Sequence, residues 1–133
     1  MTSTRPSDLS ILIVEDIDEM RMLLDAVIKG IKGLKVSGLA RNSIEARQEI
    51  LRRRPDLILL DEILPGESAW DFMKTHLVQE KIPVILLTSL DEGSRQIPPE
   101  ALSRMAKPSW DTLKEDQQRI GRFIFDQMKK SKA

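Results

Sequence analysis

Short, nearly unbroken apolar runs alternate along this chain with stretches in which apolar residues return every three or four positions. Leu9-Ser-Ile-Leu-Ile-Val14, Leu57-Ile-Leu-Leu60 and Pro83-Val-Ile-Leu-Leu87 have the pattern of strands covered on both faces. Leu34–Ala40 alternates and then turns small, which predicts a short second strand, and residues 101–106 predict a fifth. The first helical stretch carries Met20, Leu23, Leu24, Val27, Ile28 and Ile31, with Asp18 as its expected cap and Gly30 and Gly33 closing it. Asn42 and Glu45 form a capping box for a second helix, which should turn Ile44, Ala46, Ile50 and Leu51 inward and stop at Pro55. Ser68 is placed to cap a third, with Trp70, Met73, Leu77 and Val78 as its apolar stripe. Ser109 or Asp111 should cap a last helix with Leu113, Ile120, Phe123, Ile124 and Met128 inward. Strands alternating with helices predict an α/β, doubly wound parallel sheet.

The strand ends change the picture from fold to chemistry. In such a sheet the ligand crevice lies beyond the carboxyl ends of the strands. The first strand runs into Glu15-Asp16, the third into Asp61, the fourth into Thr88 and the fifth into Lys107. If the strands are neighbours, Glu15, Asp16 and Asp61 form a carboxylate cluster, tolerable only with a bound cation or with raised pKa values. A hard divalent metal is the economical answer. A carboxylate nucleophile, a cation site, a hydroxyl and an ammonium are the groups needed to make and hold an acyl phosphate. His76 lies beside the third helical stripe without Cys, His or acid partners at ligand spacing, and reads as a boundary residue.

Composition narrows the function classes. The 133 residues suit one domain, expected over 9–130 between a flexible N-terminus at 1–8 and a tail at 131–133. Twenty-one basic and 21 acidic side chains cancel, so no global field draws the chain to nucleic acid or to an anionic membrane. There is no cysteine, hence no thiolate metal site or disulfide framework, and no apolar run of spanning length. A cytoplasmic protein is expected. No Gly-rich phosphate loop follows any strand, which disfavours a nucleotide-binding protein and a flavodoxin-type electron carrier.

With these five spaced elements, from Leu9 to about Met128, the sequence resembles the receiver domain of two-component response regulators. The resemblance implies a flavodoxin-like five-stranded sheet in the order 2-1-3-4-5. It implies Asp61 as phosphoacceptor, within Asp61-Glu-Ile-Leu-Pro-Gly66, and Thr88 and Lys107 as the hydroxyl and ammonium that meet the phosphoryl group. It also implies Mg²⁺ held by Glu15, Asp16, Asp61 and the backbone carbonyl of Ile63. The partners would be a histidine kinase or phosphotransfer protein and a downstream protein target, without nucleic acid or membrane, for a monomer or weak dimer. No effector follows Met128, so a single-domain regulator rather than an enzyme is expected.

Two departures qualify this. The segment between Thr88 and Lys107 is short and interrupted by Pro98-Pro99, so its helix, the fourth of the fold, should be short or irregular. Arg104 stands where similar domains carry an aromatic residue that turns inward on activation. A buried Arg is costly unless paired, so Arg104 is expected to point outward, toward Asp91, Glu92 or Glu100, with residues 91–100 as the element that gains order. These departures are what favour the alternative, an interaction module that keeps the fold without being phosphorylated. An aspartyl-nucleophile hydrolase of the haloacid-dehalogenase type is a lesser one, since it needs a second Asp where Ile63 stands.

Overall fold

The reason the central strands are nearly unbroken apolar runs is visible in how their side chains divide. In the computed structural model, which describes residues 8–74, 81–88 and 101–131, the strands are β1 (Leu9–Val14), β2 (Leu34–Ala40), β3 (Leu57–Asp61), β4 (Val84–Thr88) and β5 (Ser103–Ala106). They form one parallel sheet in the order β2-β1-β3-β4-β5, as the resemblance implied. Successive side chains point to opposite faces. Ile11, Ile13, Leu57, Leu59, Ile85, Leu87 and Met105 therefore join one core, and Leu12, Val14, Ile58, Leu60, Val84 and Leu86 the other.

Each core is closed by helices. Helix α1 (Asp18–Lys29) and the C-terminal helix, here α4 (Leu113–Ser131), cover the first with Leu23, Leu24, Val27, Ile28, Ile120, Ile124 and Met128. Helices α2 (Ser43–Arg52) and α3 (Ala69–Phe72) cover the second with Ala46, Ile50, Ala69 and Phe72. Among the described residues no helix is long and apolar enough to cross a membrane.

Several expected details are corrected. The cap of α1 is Ile17, whose side chain makes no capping bond, and Asp18 is instead the first helical residue, paired with Arg21 at 2.5 Å. An acid in the first turn still meets the positive end of the helix dipole. In α2 the Asn42–Glu45 cap forms, with Glu45 N–H donating to Asn42 Oδ1 at 2.9 Å, but Ile44 and Leu51 are exposed. Ser43, Ala46 and Ile50 share the buried face at three- and four-residue spacing, and Ile44 and Leu51 lie one step round on the solvent flank. Trp70 is likewise on the exposed side, 38% accessible, and the buried aromatic of α3 is Phe72. The fifth strand starts at Ser103 rather than at 101. The expected loose residues 1–7, His76, Leu77, Val78 and the expected irregular fourth helix in residues 89–100 lie outside the described residues.

Candidate phosphoryl-acceptor site

Parity brings the charged strand ends together. Glu15 continues the side of β1 that carries Ile11 and Ile13, Asp61 that of Leu57 and Leu59, and Lys107 that of Met105. Because β1, β3, β4 and β5 are consecutive neighbours, all three reach the same end of the sheet on the same face. Lys107 Nζ lies 3.0 Å from Glu15 Oε1 and 3.4 Å from Asp61 Oδ2. Glu15 is fully buried and Asp61 nearly so, while Asp16, one residue on, is exposed. One carboxylate oxygen from each of Glu15, Asp16 and Asp61 falls within 4.8 Å of the others.

Backbone groups fix the acids. Ile63 N–H donates to Asp61 Oδ1 at 3.1 Å, and Ile17 N–H to Glu15 Oε2 at 3.1 Å. Gly66, with φ +79°, completes the turn after Pro65 in a left-handed conformation that costs glycine nothing. Arg21 ties down the loop after β1 by donating to the Glu15 carbonyl at 3.0 Å. Thr88 closes β4, and its carbonyl accepts the Lys107 N–H at 2.9 Å. Its side chain is buried, and strand alternation starts it on the Leu86 side rather than the Asp61 side. Thus Glu15, Asp16, Asp61 and Lys107 are assembled directly, and Thr88 is joined to them through the main chain.

The electrostatics are those of an acidic cluster around one ammonium. Burial pushes the Glu15 carboxyl above its ordinary 4.5; the Ile17 N–H opposes the rise, the facing Asp61 adds to it and Lys107 opposes it. For Lys107 burial works downward, but the contacts with Glu15 and the charges of Asp61 and Glu15 outweigh it and hold the ammonium above 10.5. Glu15 Oε1 is buried and has no well-aligned hydrogen bond despite the nearby ammonium. A buried oxygen short of hydrogen bonds, among converging carboxylates, fits a hard, oxygen-loving divalent ion.

One consequence is a pH dependence of the metal-free protein. Above pH 4.5 the unfolded chain gives up the Glu15 proton while the native state keeps it, so stability falls as pH rises, until the raised native pKa is passed. The slope from one group is at most about 1.4 kcal/mol per pH unit. Denaturant unfolding across this range in chelator should show it in wild type, and Glu15→Gln should flatten that part of the curve.

Two arrangements were not anticipated. Arg104 does not point outward: its side chain is 10% exposed and its Nε donates to Glu62 Oε1 at 2.5 Å, with the Glu62 side chain 3% exposed. Arg104 is in register with Leu86, on the sheet face opposite Asp61, and Glu62, one residue past Asp61, turns to that same face. The partner was thus adjacent in sequence to the acceptor, and strand parity was the signal that could have found it. The second is Asp116, which stands four residues before Ile120 on the buried stripe of α4. A charged residue on an apolar stripe is a readable anomaly.

Known proteins resemble the chain over most of its length. Residues 11–109 match the response regulator receiver domain. The protein-glutamate methylesterase/protein-glutamine glutaminase of Treponema pallidum is 37% identical over 91 residues, which is 67% of this chain and 23% of that protein. Its namesake from Bacillus licheniformis is 32% identical over 104 residues, or 74% of this chain and 29% of that protein. This chain spans less than a third of the length of these relatives. Among solved structures, the response regulator domain of Thermotoga maritima CheB superposes with a TM-score of 0.78 at 25% identity, over 92% of this chain and 97% of that one. The receiver domain of Erythrobacter litoralis PhyR gives 0.66 at 26% identity, over 90% and 92%.

Proposed function

Because the chain belongs to the response regulator receiver domain family, we propose that it accepts a phosphoryl group on Asp61 from a phosphohistidine and signals through protein contacts. The observation that carries the reading is the set of distances around Asp61. One of its oxygens is held by the Ile63 N–H, the other faces the Lys107 ammonium, and two further acids stand within reach of one cation. An Asp61 oxygen attacks phosphorus, the O–P bond forms as the P–N bond to the donor imidazole breaks, and the imidazole nitrogen takes back the electron pair. Lys107, charged at any physiological pH, meets the phosphoryl oxygens.

Glu15, Asp16, Asp61 and the Ile63 carbonyl are the residues that would hold Mg²⁺. Bound there, the ion neutralises charge between the acids and the incoming phosphoryl oxygens. Thr88, at the end of β4, is the hydroxyl that would answer the phosphoryl group by turning from the Leu86 side of the sheet toward Asp61. The receiver comprises residues 9–130, and its setting is the cytoplasm, where a histidine kinase or phosphotransfer protein is the donor. The methylesterase activity in the relatives' names does not transfer to this chain, since the match covers about a quarter of those proteins. In this reading the receiver serves as a phosphoryl acceptor, acting as a monomer or weak dimer.

Incubation with Mg²⁺ and acetyl phosphate, or with a phosphorylated kinase, tests this. Wild type should take up acid-labile phosphate, and Asp61→Asn should take up none. Equal uptake by both would discard the assignment. No uptake by wild type under any donor would favour the unphosphorylated interaction module, to which the polar Glu62–Arg104 pair in place of an aromatic switch lends some support.

A further inference from the structure

Lys107 reaches its partners on a long, flexible stem, so the distances of 3.0 and 3.4 Å to Glu15 and Asp61 depend on where its backbone is held. The Lys107 N–H still donates to the Thr88 carbonyl of β4, and beyond it a single carboxylate organises the turn that leads into α4. Asp116, 8% exposed on the first turns of α4, accepts the Ser109 N–H at 2.8 Å and the Thr112 hydroxyl at 2.7 Å through Oδ2. Its Oδ1 accepts Arg119 Nη2 at 2.9 Å and Nε at 3.3 Å. Arg119 in turn donates from Nη1 to the Ala106 carbonyl at 3.2 Å.

The two residues Lys107-Pro108 are therefore gripped from both sides. Ahead of them the Ala106 carbonyl is held by Arg119, behind them the Ser109 N–H is held by Asp116, and one carboxylate joins the two holds. Burial raises the Asp116 pKa, but Thr112, Ser109 and Arg119 together bring it below its ordinary 3.8, so the carboxylate is charged wherever the protein is folded and active. A buried acid with four donors is more than a helix needs at its start, because the Ser109 side chain already caps the turn at Trp110–Thr112.

We infer that Asp116 is a positioning residue for phosphoryl transfer, acting through Lys107: it sets the register of the β5–α4 turn and thereby the place of the ammonium beside Asp61. The inference rests on the reading of Asp61 as phosphoacceptor. It concerns a residue that touches neither the metal site nor the phosphoryl group.

A double-mutant cycle read by phosphate uptake from acetyl phosphate at saturating Mg²⁺ tests it. In this reaction an Asp61 oxygen displaces acetate from phosphorus, and no partner protein is needed. Asp116→Ala should slow uptake roughly tenfold or more, the effect of a misplaced catalytic group. In a Lys107→Ala background the same change should have no further effect, because the group it positions is gone. A merely structural Asp116 gives the opposite result, an equal loss in both backgrounds or none in either, and either overturns the inference. Should Asp116→Ala not fold, Arg119→Ala runs the same cycle, since that side chain is 40% exposed and its loss releases the Ala106 carbonyl. If wild type takes up no phosphate, the acceptor reading fails and this inference with it; uptake by wild type with additive losses rejects this inference alone.

Discussion

Arg104→Met is expected to destabilise the fold by roughly 3–5 kcal/mol, the cost of leaving one member of a buried ion pair without the other. The carboxylate left behind would be that of Glu62, whose side chain is 3% exposed. Glu62→Gln should cost less than Arg104→Met but in the same direction, since an amide still accepts one hydrogen bond from the guanidinium. Combining Glu62→Met with Arg104→Met should recover most of the loss or exceed wild type, because desolvating two charges offsets much of their attraction. Urea unfolding of the four proteins measures this. A loss below about 1 kcal/mol in Arg104→Met would mean that the pair behaves as a surface bridge.

The pair also occupies the slot in which similar domains were expected to carry an aromatic switch. It connects the residue after Asp61 to β5 at the edge of the sheet. The expectation that Arg104 faces outward treated the cost of burying a charge correctly but left Glu62 out of the sum.

The second large effect is expected at Asp16, and it should be almost confined to chemistry. Asp16 is exposed, so Asp16→Ala should change stability by no more than about 0.5 kcal/mol. It removes, however, the one solvent-facing oxygen donor of the three that converge. Phosphate uptake should fall roughly 100-fold or more, by analogy with the loss of one preorganised charge-stabilising group. Isothermal titration with Mg²⁺ should show the weakened site in the same variant. Wild-type Mg²⁺ affinity together with wild-type uptake in Asp16→Ala would exclude the cluster as the metal site.

Strands one, three and four were legible because a buried parallel strand writes an unbroken apolar run, and the acids and lysine were legible because they stop those runs abruptly. What lies between was harder. In α2 and α3 the apolar residues outnumber the places on one face, so Ile44, Leu51 and Trp70 were assigned inward along with Ala46 and Ile50, whereas Ser43 and Phe72 hold the remaining buried places. Small and hydroxyl residues close to a sheet take buried positions by size, which a count of apolar residues misses. The Glu62–Arg104 and Asp116 contacts depend on tertiary partners 42 residues apart or on a turn whose geometry no pattern encodes.

The most direct measurement is chemical. Acyl phosphates are reduced by borohydride, which would turn a phosphorylated aspartate into homoserine at that position. After incubation with Mg²⁺ and a phosphodonor, peptide mass spectrometry should find homoserine at position 61, and only when both reagents were present. Homoserine at another acid, or an unreduced Asp61 in a protein that carries acid-labile phosphate, would contradict the account.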